Sequence, residues 1–298
     1  MSQRTLNTAL ATKQVIDLHM PPRRRNSVRA VRQELEVRLA TLQQDYAELH
    51  AEIFEAAQVH RRLCAPRLVR YGSFEIASEI FAVRHLPGDF FTIGNSSDRV
   101  MLALGDICGK GLAAGMWTTH MVELVRTRAA IHSEPESIAA GVNRDLCVAG
   151  STVPLASMFV ASLDPINGTL DYCSAGHPPA LLLRANGELE LLSDGGTLVG
   201  VMASAHYRRG SVTLDPGDTL LAYSDGVFES MNKAEEEFGL TRLESQFRTA
   251  TEEVQGTTGA EPILFSILAA VQDFAATSPL VDDLSLVVIR RDAVNSEQ

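Results

Sequence analysis

Apolar and polar positions follow two different rhythms along this chain. From Val28 to Leu63 the apolar residues repeat in heptads. Leu35, Leu42, Leu49, Ala56 and Leu63 share one seam position, and Leu39, Tyr46, Ile53 and His60 share the other. The steps alternate between four and three without a break, and no proline intervenes before Pro66. An ordinary amphipathic helix drifts off a strict seven-residue repeat over such a length, whereas a coiled coil keeps it. The pattern predicts a helix reaching roughly 50 Å, too long to be buried on one small domain, and self-association into a homodimer through its seam. Ala56 and His60 place a small and a titratable side chain late in that seam, a weak spot suited to a change of packing.

Beyond Pro66 the period shortens to two. Phe74–Val83, Asp89–Gly94 and Val100–Ile107 read as strands, the last two joined by the turn Gly94-Asn95-Ser96-Ser97-Asp98. Two helices follow, about Leu112–Ile131 and Pro135–Val148, the second opened by Ser133 as its N-cap with Glu136 three residues on. Strands are then expected at Ser157–Leu163, Thr169–Ser174, Ala180–Leu183, Leu189–Leu192, Arg208–Leu214 and Thr219–Tyr223. Gly239–Thr249 and Pro262–Ala275 read as helices, Gln255–Gly259 as a loop, and Leu284–Ile289 as a closing strand. Many strands joined by tight turns, with pairs of long helices between them, predict two sheets packed face to face and covered by helices.

At 298 residues and 45% hydrophobic content, the chain can bury one sizeable core plus an appendage. The expected organisation is a flexible basic leader (1–27), a coiled-coil helix (28–65), one globular domain (66–292) and a short tail (293–298). Residues 1–40 hold eight Lys/Arg and three Asp/Glu, a net of +5 against −11 for the whole, so the remainder carries −16. That balance argues against nucleic acid as a partner. No apolar run reaches the roughly 18 residues of a membrane span, and no signal-peptide core precedes the helix. Cys64, Cys108, Cys147 and Cys173 show no Cys-x-x-Cys pairing. They read as reduced thiols of a cytoplasmic protein.

Candidate chemistry sits in four short segments bearing aspartate: Leu86-Pro87-Gly88-Asp89-Phe90-Phe91, Gly105-Asp106-Ile107-Cys108-Gly109-Lys110-Gly111, Tyr223-Ser224-Asp225-Gly226-Val227 and Val281-Asp282-Asp283-Leu284-Ser285. Each acid ends an apolar, strand-like run. One Asp-Gly pair alone is turn chemistry. Several carboxylates converging on one point would repel each other unless cations lay between them. Two divalent cations bridged by carboxylate suit hydrolysis of a phosphate ester. A Walker loop at Gly105–Gly111 is excluded, because the gap between the glycines is wrong and Gly111 stands where Ser or Thr should hold magnesium.

The order of these segments, with Ala175-Gly176-His177-Pro178-Pro179, Asp215-Pro216-Gly217-Asp218-Thr219-Leu220-Leu221 and Glu237-Phe238-Gly239 between them, resembles the SpoIIE-like (RsbU-like) branch of the metal-dependent Ser/Thr protein phosphatase (PPM) family over about Ala51–Arg291. The resemblance implies an α+β fold, an α/β/β/α sandwich of two mainly antiparallel sheets, with two Mn²⁺ or Mg²⁺ ions at one end. It implies that Asp106 bridges both ions, that the Ile107 carbonyl and Asp89 bind one of them, and that Asp225 and Asp282 complete the other. Asp283, just beyond, is closer to a supporting role. The implied reaction is in-line attack of a metal-bridging hydroxide on phosphoserine or phosphothreonine. The implied substrate is a phosphorylated STAS-type anti-sigma-factor antagonist in a bacterial partner-switching pathway.

The chain departs from the family pattern in three places. Pro87 replaces a glycine, Thr92 stands where many relatives have a second acid, and Cys108 replaces the histidine of the eukaryotic branch. His177 is a candidate proton donor, though a Gly-His-Pro turn more often makes a histidine structural. Arg84 and His85 are candidates for binding the substrate phosphate. The alternative of another class is a phosphatase-like scaffold that binds a signalling partner without turning it over; retention of all four principal acids weighs against it.

Overall fold

The computed structural model describes residues 22–63, 68–83, 86–96, 98–150, 154–254, 259–276 and 278–293. The first 21 residues of the expected leader, Cys64, Pro66, Arg84, His85, most of the 255–259 loop and nearly all of the tail lie outside these. The chain divides into two units, Met1–Ala56 and Ala57–Gln298.

Helix α1 spans Pro22–Leu63. It begins inside the segment read as the leader, because a proline at the first helical position has its φ already set and gives up an N–H that needs no partner there. Within the first unit the seam side chains Leu35, Leu39, Leu42, Tyr46 and Leu49 are 56–66% exposed. In the second unit the last turns of α1 behave differently, with Ala57 and His60 buried. The His60 Nε2–H donates to the hydroxyl of Thr118, which in turn donates to the Gly115 carbonyl at 2.6 Å. His60 is thus drawn into the globular unit rather than displayed along a seam.

That unit is built from strands β1 (Leu68–Tyr71), β2 (Phe74–Phe81), β3 (Asp89–Ser96), β4 (Arg99–Ile107), β5 (Ala156–Leu163), β6 (Thr169–Ala175), β7 (Ala180–Leu183), β8 (Leu189–Leu192), β9 (Gly195–Gly196), β10 (Gly210–Thr213), β11 (Thr219–Tyr223) and β12 (Leu284–Arg291). Its helices are α2 (Leu112–Ala129), α3 (Pro135–Ala149), α4 (Asp225–Phe228), α5 (Gly239–Glu253) and α6 (Ala260–Ala275). One sheet runs β1-β2-β12-β11-β7-β8 and the other β10-β6-β5-β4-β3, with β9 alongside β6. All pairings are antiparallel except β6 with β9.

Three apolar layers hold four layers of structure together. Phe74, Phe91, Leu102, Phe159, Leu220 and Val287 fill the space between the sheets. Leu181, Leu221 and Val288 pack under α5 and α6 through Phe247 and Ile267. Ala103, Met158 and Val160 pack under α2 and α3 through Met121, Val125 and Ile138. Strand β4 shows the logic in sequence: Leu102 and Leu104 point to the inter-sheet core, Met101 and Ala103 to the helices. The expected α/β/β/α sandwich is the fold observed.

Local expectations shift in a few places. Glu134, not Ser133, is the N-cap of α3, and Pro135 at N1 supplies the helical start that a side-chain cap would have given. The Ser133 hydroxyl instead meets Glu134 Oε1 at 3.1 Å. Strands β1 and β9 and the single-turn helix α4 were not expected, being too short to show a period. Among the described residues no helix is long and apolar enough to cross a membrane.

Candidate metal centre

Each sheet brings two acids to the same end of the sandwich. Asp89 opens β3 and Asp106 lies one residue from the end of β4, directly opposite it in the antiparallel register. The next pair inward is Phe90 with Gly105. Like charges placed directly across a ladder repel, so this pairing is unfavourable unless another group intervenes. Gly88 marks where these groups converge: a Cβ on it would stand 3.2 Å from Asp106 Oδ1 and 3.6 Å from the Ile107 carbonyl oxygen. The carboxylate and that carbonyl therefore face one small space beside Gly88, whose own carbonyl accepts from the Ile107 N–H at 3.2 Å.

On the other sheet β11 ends at Tyr223 and the chain turns at once into α4, with Asp225 as its first residue. Asp282 and Asp283 immediately precede β12. A Cβ on Gly226 would lie 2.2 Å from the Asp283 carbonyl oxygen, so only glycine lets α4 close onto this turn. The two sheets are tied by Ser285, whose hydroxyl donates a short hydrogen bond to Asp89 Oδ2. The Ser285 N–H in turn donates to Ser224 Oγ at 3.1 Å.

The carboxyl groups report how much charge has been gathered. Burial, and then Asp106, push Asp89 well above the usual carboxylate range. Burial and Asp225 push Asp106 up to about 7. Asp225 is raised by burial and by Asp282. Asp283 is raised by burial, although its Oδ1 accepts from the Val83 N–H at 2.8 Å and its Oδ2 from the Gly88 N–H at 2.7 Å. With both oxygens engaged, Asp283 holds the approach to Asp89 in place. Asp282 makes an ion pair with Lys110 at 2.7 Å.

Among the described residues no three His, Cys, Asp or Glu side chains close around one point as a finished cage. The donor set nonetheless suits divalent cations. It consists of hard oxygens, four carboxylates and one carbonyl, whose mutual repulsion a cation would relieve. Asp89, Asp106, Ile107, Asp225 and Asp282 are the residues able to hold such ions.

The remaining candidates separate cleanly. Cys108 is exposed and its thiol is raised by burial of its sulfur side and by Asp106 and Asp225, which disfavours a thiolate. Thr92 lies three residues beyond Asp89 and so on the other face of β3, where its hydroxyl accepts from Arg126 Nε at 2.9 Å. An acid there would point under α2, so this departure leaves the four acids untouched. Arg84 and His85 lie outside the described residues.

His177 is buried, its Nδ1 is 2.8 Å from Ser157 Oγ, and Ser157 is the β5 partner of Asp106 in the register. Burial holds its imidazole down to about 3, from an ordinary value of 6.5. It is neutral and braces the strand behind Asp106. The unfolded chain takes up a proton at this position below pH 6.5 that the folded chain refuses, so stability falls as pH drops from there toward 3. We expect the parent to lose roughly 2 kcal/mol more than His177→Asn between pH 7.5 and pH 5, measured by urea unfolding in chelator. The opposite slope from Asp106 is common to both proteins and cancels in the difference. Equal losses in the two proteins would show that His177 is not held neutral.

Residues 96–292 match the SpoIIE family (Stage II sporulation protein E). The chain belongs to that family. Asp106, Asp225, Asp282 and Asp283 fall inside the SpoIIE match, while Asp89 lies just before it and is joined to the others by the β3–β4 register. The phosphoserine phosphatase RsbU of Bacillus subtilis (strain 168) is 24% identical over 256 residues, 84% of this chain and 73% of RsbU. Protein IcfG of Synechocystis sp. is 26% identical over 223 residues, covering 64% of this chain and 35% of IcfG, so the chain spans about a third of that relative. The SiaA-PP2C domain of Pseudomonas aeruginosa shares the fold, with a TM-score of 0.69 at 16% identity over 83% of this chain and 98% of that one. The resemblance read from the motifs is thereby borne out at the level of family and fold. Sequence reading missed the Ser285 tie, the anchoring role of the Asp283 oxygens and the Lys110 pair. Lys110 alone carried a signal, being a basic residue inside an acid-bearing turn.

Proposed function

We propose that this chain is a cytoplasmic Mn²⁺- or Mg²⁺-dependent phosphatase acting on phosphoserine or phosphothreonine in a partner protein. The observation that carries this reading is the meeting of two acid pairs, one from each sheet, with Asp106 pushed up to about 7 by burial and then by Asp225. Asp106 would face both cations, Asp89 and the Ile107 carbonyl one, and Asp225 and Asp282 the other. Asp283 positions Gly88 and Asp89 through the main chain. Two bound divalent cations supply an activated water near neutral pH and stabilise charge on the phosphoryl oxygens. The family and the phosphoserine phosphatase RsbU favour a phosphorylated STAS-type anti-sigma-factor antagonist as substrate. The test is hydrolysis of p-nitrophenyl phosphate and of a phosphoserine STAS protein in manganese against chelator. Binding of the STAS protein without turnover would favour a scaffold instead.

Cys108→Ser is expected to keep parental turnover within about twofold, since the thiol is not needed as a nucleophile. Alkylation of Cys108 alone that abolishes turnover while metal still binds would overturn this.

The organisation we assign is the leader, a homodimerising helix whose apolar seam packs on that of a second copy, and the phosphatase domain. Sedimentation at tens of micromolar should give a dimer, and removal of residues 1–50 a monomer. A monomeric full-length chain would remove the helix from this role.

A further inference from the structure

The acids have a basic neighbour that the ligand assignment leaves unused. Lys110 sits in the turn between Asp106 and α2, flanked by Gly109 and Gly111, at φ 145° and 83°. Its ammonium lies 2.7 Å from Asp282 Oδ2 and 3.3 Å from the Val281 carbonyl oxygen. Its charge also works against the rise in the carboxyls of Asp225 and Glu229. A small hollow lined by Gly88, Gly109, Gly111, Asp282 and Asp283 adjoins it. Side chains of Lys110 and Asp282 are 46% and 42% exposed, so packing locks neither in place.

An ion pair this exposed contributes little to folding. Its effect on a cation would be direct, because an ammonium and a divalent ion would contend for the same carboxylate oxygen. Asp282 Oδ1 already accepts from the Asp283 N–H at 3.1 Å. For Asp282 to offer Oδ2 to a cation, Lys110 therefore has to withdraw, and a flexible four-carbon stem on a turn between two glycines allows it. A displaced ammonium beside this site would then meet the phosphoryl dianion brought to the acids. We propose that Lys110 is a tethered counter-ion: it competes with a divalent cation for Asp282 and, when displaced, binds the phosphate of the substrate. This inference rests on the metal-dependent reading above.

Manganese binding by the full-length chain, followed by calorimetry, tests the first position. Competitive inhibition by inorganic phosphate of the manganese-loaded protein tests the second. Lys110→Met should bind Mn²⁺ about fivefold more tightly and inorganic phosphate about tenfold more weakly. Lys110→Arg should return both toward the parent. Lys110→Gln, which keeps a donor for the Val281 carbonyl, serves as a second charge-removing variant, and melting in chelator confirms that each is folded. Unchanged or weaker manganese binding in both charge-removing variants overturns the competition. Unchanged phosphate inhibition overturns the second position. A parent that takes up no Mn²⁺ overturns the metal-dependent reading itself, a result distinguishable from either.

Discussion

Asp106→Asn should lose more than about a hundredfold in turnover at saturating manganese while becoming more stable in chelator. Removing even an outer-shell partner of a metal ligand typically costs ten- to a hundredfold, and Asp106 stands at the centre of the proposed site. It is opposite Asp89 in the ladder, senses Asp225 and Asp282 across the gap, and shares a space with the Ile107 carbonyl beside Gly88. An amide keeps the shape and removes the charge that burial and Asp225 resist. Relief of that repulsion should raise stability by on the order of 1–3 kcal/mol in chelator, and added manganese should stabilise the variant less than the parent. Asp225→Asn should behave alike in direction. Parental turnover in Asp106→Asn at saturating manganese would remove Asp106 from the centre of the reaction.

Gly105→Ala should be strongly destabilising, costing about 3 kcal/mol. A Cβ there would lie 2.4 Å from the Ser157 carbonyl oxygen and 2.5 Å from the Phe90 ring. Neither can give way easily, since Ser157 belongs to the β4–β5 ladder and Phe90 is buried beneath α2. Spreading the strands would also displace Asp106, the next residue, so manganese affinity should fall together with stability. Gly94→Ala is the control: a Cβ at that site meets nothing within 4 Å, and the change should be nearly neutral. Urea unfolding of both variants measures the contrast, and equal midpoints would show that the β4–β5 contact is softer than its geometry implies.

Much of this arrangement could be read from the chain because period and punctuation agreed. The runs ending at Asp106, Tyr223 and Leu163 are long enough to show strand character, and their ends fall where glycine, serine or aspartate break it. What escaped depends on contacts distant in sequence. Nothing local at Ser285 announces a bond to Asp89, nearly 200 residues away. Thr92 stands where many relatives of the family have a second acid, yet alternation along β3 sends it to the face opposite Asp89, against Arg126. His60 fits the heptad by spacing, but tertiary packing against Thr118 decides where its side chain goes. A supporting role for Asp283 could be read from its place just beyond Asp282, but only the positions of the Val83 and Gly88 amides show where its oxygens are spent.

Because Asp89 and Asp106 ride on one sheet and Asp225 and Asp282 on the other, the width of the gap between the pairs is set by the layer of side chains separating the sheets. Packed sheets stand about 10 Å apart, a distance determined by what interdigitates between them. Phe91, Phe159, Leu220 and Val287 therefore act as a spacer gauge for a reaction none of them touches. Trimming Phe159 would alter the bore of the site, whereas trimming Ile138 or Phe247, on the outer layers, would thin a wall and leave the bore alone. Selection for catalysis in such a molecule reaches into the middle of its core, where a change of one methylene is a change of calibre.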